Sequence, residues 1–486
     1  MKAGKPHKNI LIFGSDHFGL TTYYAFKNDP AERFKVVGFI DVDTKSKKQT
    51  LEGINIYDFA EMTSSFIKDK SIEEVVIAVQ EIETVRLIEI VFQLLKFDIA
   101  LKIIPPAEQC TNGFIKMEQI KNLKIEDLLL RKPKTDLNPA LLDEYQNQVI
   151  LITGAAGSIG SELARQLAQF DYKQLVLLDN AESALYDVQQ ELIKKKVKNF
   201  EAVIADIREY DRMDQLFNQY KPKVVFHAAA YKHVPLMEDH PYEAVNVNII
   251  GTKNVADLSV KHSVDKFVLI STDKAVNPTN VMGASKRIAE LYMNCLKEKG
   301  QTKFIATRFG NVLASSGSVI PLFNKQIETG GPVTVTHRDI ERYFMTIAEA
   351  CHLILEAGAM GHNDEIVVFD MGKPLRIYDL AVLMIKLHGS RFPEDIDIKI
   401  TGLRPGEKVV EELLASGEQS KPTYHDKIRV AQTKSVDINT MEIKILELCD
   451  KTPKIQNLEL VALIKAIVPE YRSNNSKFEV LDDNNP

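Results

Sequence analysis

The chain has 486 residues, room for two to four domains at roughly 100–200 residues each. Its 61 Lys and Arg against 67 Asp and Glu leave a net charge of −6, and 45% of its residues are apolar. That balance excludes the basic surplus of a nucleic-acid binder and the low apolar content of a disordered chain. Apolar runs such as Val75–Val79 fall well short of the roughly 18 residues that span a bilayer, and no signal-peptide pattern precedes the first strand-like run at Asn9–Phe13. A soluble, cytoplasmic protein is expected. Cys110, Cys295, Cys351 and Cys449 stand singly without CxxC spacing, which predicts reduced thiols rather than a zinc site or disulfides.

Taken in chain order, strands are predicted at Ile10–Phe13, Lys35–Ile40, Glu74–Val79 and Ala100–Ile104. Pro105 and Pro106 close the last. Residues 1–120 form an N-terminal domain, and 121–147 a connector with Pro133 and Pro139 as breakers. Six further strands follow, at Val149–Thr153, Gln174–Leu178, Glu201–Ile204, Val224–Ala228, Lys266–Ser271 and Phe304–Arg308. Strands alternating with helical stretches predict an α/β protein of two Rossmann-like doubly wound domains. The pattern loosens after Arg308, so a small C-terminal substrate lobe is expected, mainly 309–440, within a catalytic domain of 148–472. The polar tail 473–486 is expected to be disordered. Ile288, Leu291 and Cys295 have ordinary helical core spacing.

Gly154, Gly157 and Gly160 follow the first strand of the second domain at G-x-x-G-x-x-G spacing. Glycines there allow a tight turn and close approach of a pyrophosphate to a helix N-terminus. Asp179 ends the next strand, 19 residues after Gly160, where a carboxylate binds ribose hydroxyls and repels a 2′-phosphate. NAD is therefore expected rather than NADP. Ser158 and Ile159 open the helix, Asp206 and Ile207 would flank the adenine, and Ala228 and Lys286 complete the candidate cofactor set. The N-terminal copy has Gly14 and Gly19 around Asp16. A carboxylate in that turn would face and repel a pyrophosphate, so this domain is expected to be an accessory rather than a second NAD site.

The chemistry concentrates in Ser271–Lys286, whose Thr272 and Lys286 match the Ser/Thr and Tyr-x-x-x-Lys pattern of extended short-chain dehydrogenases/reductases, with Met282 in the tyrosine position. With the blocks His227–Pro235, Asn246–Thr252, Arg308–Val312, Arg342–Thr346, Leu403–Lys408 and Ile125–Arg131, the chain resembles the long nucleotide-sugar 4,6-dehydratases of bacterial glycan synthesis, typified by UDP-N-acetylglucosamine 4,6-dehydratase. Members of that family usually carry N-terminal membrane helices; were such helices part of a longer chain, the protein would sit at the inner face of the membrane.

The resemblance implies a redox-neutral elimination on a UDP-N-acetylhexosamine: oxidation at C4, loss of water across C5 and C6, and hydride return to C6, with C5 retained. By the family pattern Asp273 is the acid for the C6 hydroxyl and needs a raised pKa. Lys274 is the base at C5 and needs a lowered one, which repulsion from Lys286 and the nicotinamide could supply. Thr272 binds the C4 oxygen and Lys286 the nicotinamide ribose. Methionine cannot exchange a proton, so the C4 proton leaves through Lys274, Asp273 or a water relayed by Thr272. Arg342 and Arg404 are candidates for the substrate pyrophosphate, with Lys232, Asn311 and Glu407 as further substrate contacts. His227 and His233, six apart, lack a third ligand, and no metal is expected. Helix surfaces in the superfamily commonly pair, so a homo-oligomer is expected. A C5-inverting dehydratase, a nucleotide-sugar epimerase and a non-catalytic NAD-binding scaffold are the alternatives.

Overall fold

The computed structural model describes residues 7–29, 33–42, 50–80, 82, 84–97, 99–105, 115–124, 127–128, 139–313, 315–360, 365–414, 418–432 and 437–482. Cys110, Pro106, Pro133 and most of the Ile125–Arg131 block lie outside them. The chain forms two compact units. The first comprises Met1–Lys134 with Ile327–Gly331 and Ala381–Asp397; the second comprises Thr135–Gln326, Pro332–Leu380 and Ile398–Pro486. No helix among the described residues is long and apolar enough to cross a membrane.

The first unit is built on a seven-stranded sheet. Its central strand Lys8–Phe13 pairs in parallel with Phe34–Asp41 on one side and Ile72–Ile77 on the other. Ala100–Ile103 continues the parallel set, and Lys121–Asn122 closes that edge antiparallel. Asp16 caps the helix His17–Lys27, accepting from the N–H groups of Phe18 and Gly19 at 2.9 and 3.1 Å. Two N–H groups that an anion would need at this turn are already satisfied by a side chain of like charge.

The second unit carries a nine-stranded sheet. Val149–Thr153 lies between Gln174–Asp179 and Val224–His227, all parallel, so the strand order reverses beside it. All five residues of Val149–Thr153 are buried, as expected where helices cover both faces of a parallel sheet. Ligands in such sheets bind beyond the strand C-termini at the reversal. The predicted strands are present, yet the sheet does not end at Lys303–Arg308. Glu365–Phe369 adds a seventh parallel strand, followed by Ile428–Gln432 and Gln419–Pro422 in antiparallel pairing. Three strands of the span 309–440 thus extend the main sheet, and three two-stranded ribbons lie in the same span. Pro139 opens the helix Pro139–Tyr145 instead of breaking structure; Tyr145, fully buried, donates to the Leu355 carbonyl at 2.7 Å.

The long helix Val281–Leu296 has fourteen of its sixteen residues buried, sharing a core with Ile445, Leu448, Leu460 and Ile464. These belong to helices Ile438–Lys451 and Asn457–Ile467. The tail is not disordered through Asp482. Phe478 is buried; Lys465 donates to Ser473 and Asp482 at 2.9 and 2.6 Å. Asn474 and Asn475 donate to the carbonyls of Glu407 and Leu403. A polar composition here serves hydrogen bonding to a loop rather than solvation.

Candidate active site

Beyond the strand C-termini of the second unit lies a cavity of about 700 Å3. One end is the glycine turn. Gly154 has φ +69°, and a Cβ there would stand 2.5 Å from the Ala229 nitrogen; a Cβ on Gly160 would stand 2.1 Å from the Gly154 carbonyl oxygen. Only glycine fits either position, while Gly157, with 3.3 Å to its nearest neighbour, caps the helix Ser158–Leu167. Gly154, Gly157, Ser158, Ile159, Gly160 and Ala228 all line the cavity. Asp179 ends its strand with Oδ2 accepting from the Ala156 N–H and Oδ1 from the Ala181 N–H, each at 2.9 Å. Asp206 is engaged by Arg208, which donates to it from Nη2 at 2.6 Å. The Ile207 side chain is buried and faces Gly251, where a Cβ would meet it at 2.6 Å. Asp179, Asp206 and Ile207 do not line the cavity, although the glycine turn beside Asp179 does.

The chemical end is made by the segment after strand Lys266–Ile270. Thr272 donates to Asp273 Oδ1 at 2.9 Å and accepts from the Lys274 N–H at 3.3 Å, capping a short turn. Lys274 Nζ lies 3.1 Å from Asp273 Oδ1, 3.3 Å from Asn311 Oδ1 and 3.4 Å from Glu411 Oε1. Asp273 is 0% exposed, and its Oδ2 has no hydrogen-bond partner among the described residues. The helix Val281–Leu296 then presents Met282 and Lys286 to the cavity. Asn280 caps it by accepting from the Gly283 N–H at 2.7 Å. Gly283 packs so tightly on the Thr272–Lys274 turn that a Cβ would meet the Lys274 carbonyl oxygen at 2.1 Å.

Burial pulls the Lys286 pKa down to about 8. Lys274 behaves otherwise: burial lowers its pKa, but the Asp273 and Glu411 carboxylates outweigh it and the result is raised. The repulsion expected from Lys286 is replaced by that of Arg342, which is too weak to reverse the sign.

Arg342 lines the cavity but is buried. Its guanidinium donates to the carbonyls of Glu341, Val409 and Lys408 at 2.7, 3.2 and 2.8 Å and lies 3.7 and 3.6 Å from Glu407 and Glu411. It clamps the loop rather than reaching out as a free cation. Arg404 is the exposed arginine, paired with Glu407 at 2.9 Å; burial would raise the Glu407 pKa, but Arg404 holds it down. Lys232 reaches the rim, where its surroundings withdraw enough water to lower its pKa. His227 is fully buried between the hydroxyls of Thr153 and Thr252, at 2.7 and 2.9 Å, and burial lowers its pKa to about 3. It is a neutral core group.

Two residues escaped the sequence reading. Glu411 lies beyond the Leu403–Lys408 block, and only the fold carries it to Lys274. Asn248 sits in a π-helical turn, Val245–Gly251, a geometry frequent at functional sites. It holds Tyr231 through both backbone groups and donates to Ser285 at 2.9 Å. Its block, Asn246–Thr252, had been singled out without a role.

Residues 150–433 match the family described as Polysaccharide biosynthesis protein. The chain is 44% identical over 426 residues to the capsular polysaccharide biosynthesis protein CapD of Staphylococcus aureus, covering 87% of this chain and 71% of that protein. It is 44% identical over 403 residues to the probable polysaccharide biosynthesis protein EpsC of Bacillus subtilis, covering 82% and 67%. The solved structure of Pen from Bacillus thuringiensis superposes with a TM-score of 0.55 at 32% identity, covering 63% of this chain and 98% of that one. The chain belongs to the polysaccharide biosynthesis protein family, and its second unit is an α/β domain on a Rossmann-like, mainly parallel sheet.

Proposed function

We propose that the protein is an NAD-dependent UDP-N-acetylglucosamine 4,6-dehydratase that retains the C5 configuration. The observation that carries this reading is the Thr272–Asp273–Lys274 turn: Thr272 and Lys274 line the cavity, Asp273 is buried behind them 3.1 Å from the lysine, and one of its carboxylate oxygens is unpartnered among the described residues, with Met282 where an epimerase would place a tyrosine. The glycine turn fits a dinucleotide pyrophosphate because Gly154 and Gly160 leave a cradle that side chains would fill. NAD held there supplies the acceptor and donor of hydride. Lys286 stands to hold its ribose, and the Asp179 carboxylate disfavours a 2′-phosphate.

The chain's own groups supply the rest. Thr272 Oγ1 orients the C4 oxygen, whose proton leaves through Lys274, Asp273 or a water relayed by Thr272 as the hydride departs. Lys274 takes the C5 proton once that position is acidified by a C4 ketone. Asp273 gives a proton to the departing C6 hydroxyl. Arg404, exposed at the mouth, meets the substrate pyrophosphate, and Asn311 shares Lys274 with the sugar.

The test is incubation with UDP-N-acetylglucosamine and no added reductant, read by product mass and proton NMR. Loss of one water with a new C6 methyl signal and no net NADH is expected, and the C4–C5–C6 couplings report the C5 configuration. Lys274→Ala should abolish turnover. Undiminished turnover in that variant, or an epimer of unchanged mass, overturns the reading.

A further inference from the structure

Two carboxylate oxygens at this site are buried without a hydrogen-bond partner among the described residues, Asp273 Oδ2 and Glu411 Oε2. Their residues flank one ammonium: Lys274 Nζ lies 3.1 Å from Asp273 Oδ1 and 3.4 Å from Glu411 Oε1. Asp273 is 0% and Glu411 4% exposed. Resting on the dehydratase reading, we infer that Glu411 is a positioning residue that aims Lys274 at Asp273 and sets the pH at which this acid–base pair loses its shared proton.

The reasoning is one of proton balance. In the elimination Asp273 must carry a proton and Lys274 must not. The ion pair already holds that proton, on the wrong partner. Transfer from Nζ to an Asp273 oxygen breaks one N–H bond, forms one O–H bond and leaves the net charge unchanged, so no outside acid or base is needed. The pair is competent only while it keeps this single proton. A second carboxylate 3.4 Å from Nζ opposes its loss to solvent. The groups facing Nζ are Asp273 on its own turn, Glu411 and Asn311 from the lobe side, and Arg342 behind Glu411 at 3.6 Å; Lys286 lines the same cavity from the helix. Asp273 and Glu411 favour the charged lysine, and Arg342 and burial disfavour it.

The measurement is the alkaline limb of kcat/KM for UDP-N-acetylglucosamine dehydration by the full chain. One charge at this distance shifts a pKa by about 0.9 units even at the dielectric of water, and by more at a buried site. Glu411→Gln should move the limb to lower pH by at least that amount. Glu411→Asp, which draws the charge back, should fall between the two. Glu411→Ser, which also removes the charge, replaces Glu411→Gln if the latter does not fold. A limb that stays in place in a folded, NAD-loaded, charge-removing variant overturns the inference alone, as does Glu411→Asp moving as far as Glu411→Gln. A wild-type protein that releases no water from the substrate overturns the dehydratase reading and the inference together.

Discussion

Arg308→Ala should cost about 3–5 kcal/mol at neutral pH, the usual penalty for leaving a buried charge without its partner. Arg308 ends a central strand and Glu290 lies on the helix that carries Met282 and Lys286; each is 1% exposed. The guanidinium donates to the two carboxylate oxygens at 2.9 and 2.6 Å. Ser271, next to the catalytic turn, donates to the same carboxylate at 2.7 Å. Arg287 remains 3.2 Å away in the variant, which places the expected cost at the lower end, about 3 kcal/mol.

The sign with pH follows from Glu290. Burial would raise its pKa, but the arginines hold it at about 2, below the ordinary 4.5. Its contribution is therefore complete above pH 4.5 and is lost as pH falls through 2. The gap between wild type and variant should be full at pH 7 and narrow by about 1 kcal/mol at pH 4. Urea unfolding of the full chain at both pH values measures it, by circular dichroism and by tyrosine fluorescence, which is unobscured because the chain has no tryptophan. A penalty under about 1 kcal/mol at pH 7, or one that widens on acidification, refutes the reasoning.

Gly160→Ala should empty the cofactor turn, because its Cβ would meet the Gly154 carbonyl oxygen at 2.1 Å, whereas Gly157→Ala meets it at 3.3 Å and should retain most of the cofactor; absorbance of nucleotide released on denaturation compares them. Asp273→Asn should lower dehydration by about 100-fold or more and slow exchange of the C5 hydrogen with deuterated water, since Lys274 then has no Asp273 carboxylate to take its proton; mass spectrometry of recovered substrate reports that exchange. Lys286 has a folded pKa of about 8 against the ordinary 10.5, so its burial destabilises the cofactor-free fold below pH 8 and this effect disappears as pH rises to 10.5. Lys286→Met should therefore stabilise the cofactor-free protein at pH 7 by about 3 kcal/mol, with the gain vanishing near pH 10.5 in urea titrations. Removing residues 473–486 should raise KM for the nucleotide sugar without lowering bound NAD, since Asn474 and Asn475 hold the backbone of the Arg404–Glu407 loop; unchanged KM would dissociate the tail from that loop.

The parallel strands were legible because each is a short continuous apolar run bounded by a turn or a charged helix, and burial on both faces demands such a run. The glycine turn was legible for a local reason too: close backbone approach leaves no alternative residue at positions 154 and 160. The strand Glu365–Phe369 was missed although its run is equally apolar, because it arrives after a stretch of glycines and prolines that reads as irregular. The tail was missed because its asparagines and serines look solvated until the loop they bind is beside them.

The sequence alone therefore determined the α/β class, the cofactor turn and the Thr272–Asp273–Lys274 turn, all features set by residues within a few positions of one another. The fold alone decided the electrostatics. Glu411 meets Lys274 across 137 residues of chain, and it adds to the larger effect of the adjacent Asp273 in raising the lysine's pKa against the direction its burial dictates. Arg342, which by type would bind a phosphate, is instead enclosed by three carbonyls and two carboxylates. Coulomb interactions depend on distance and on the loss of water, and neither quantity exists until the chain has folded.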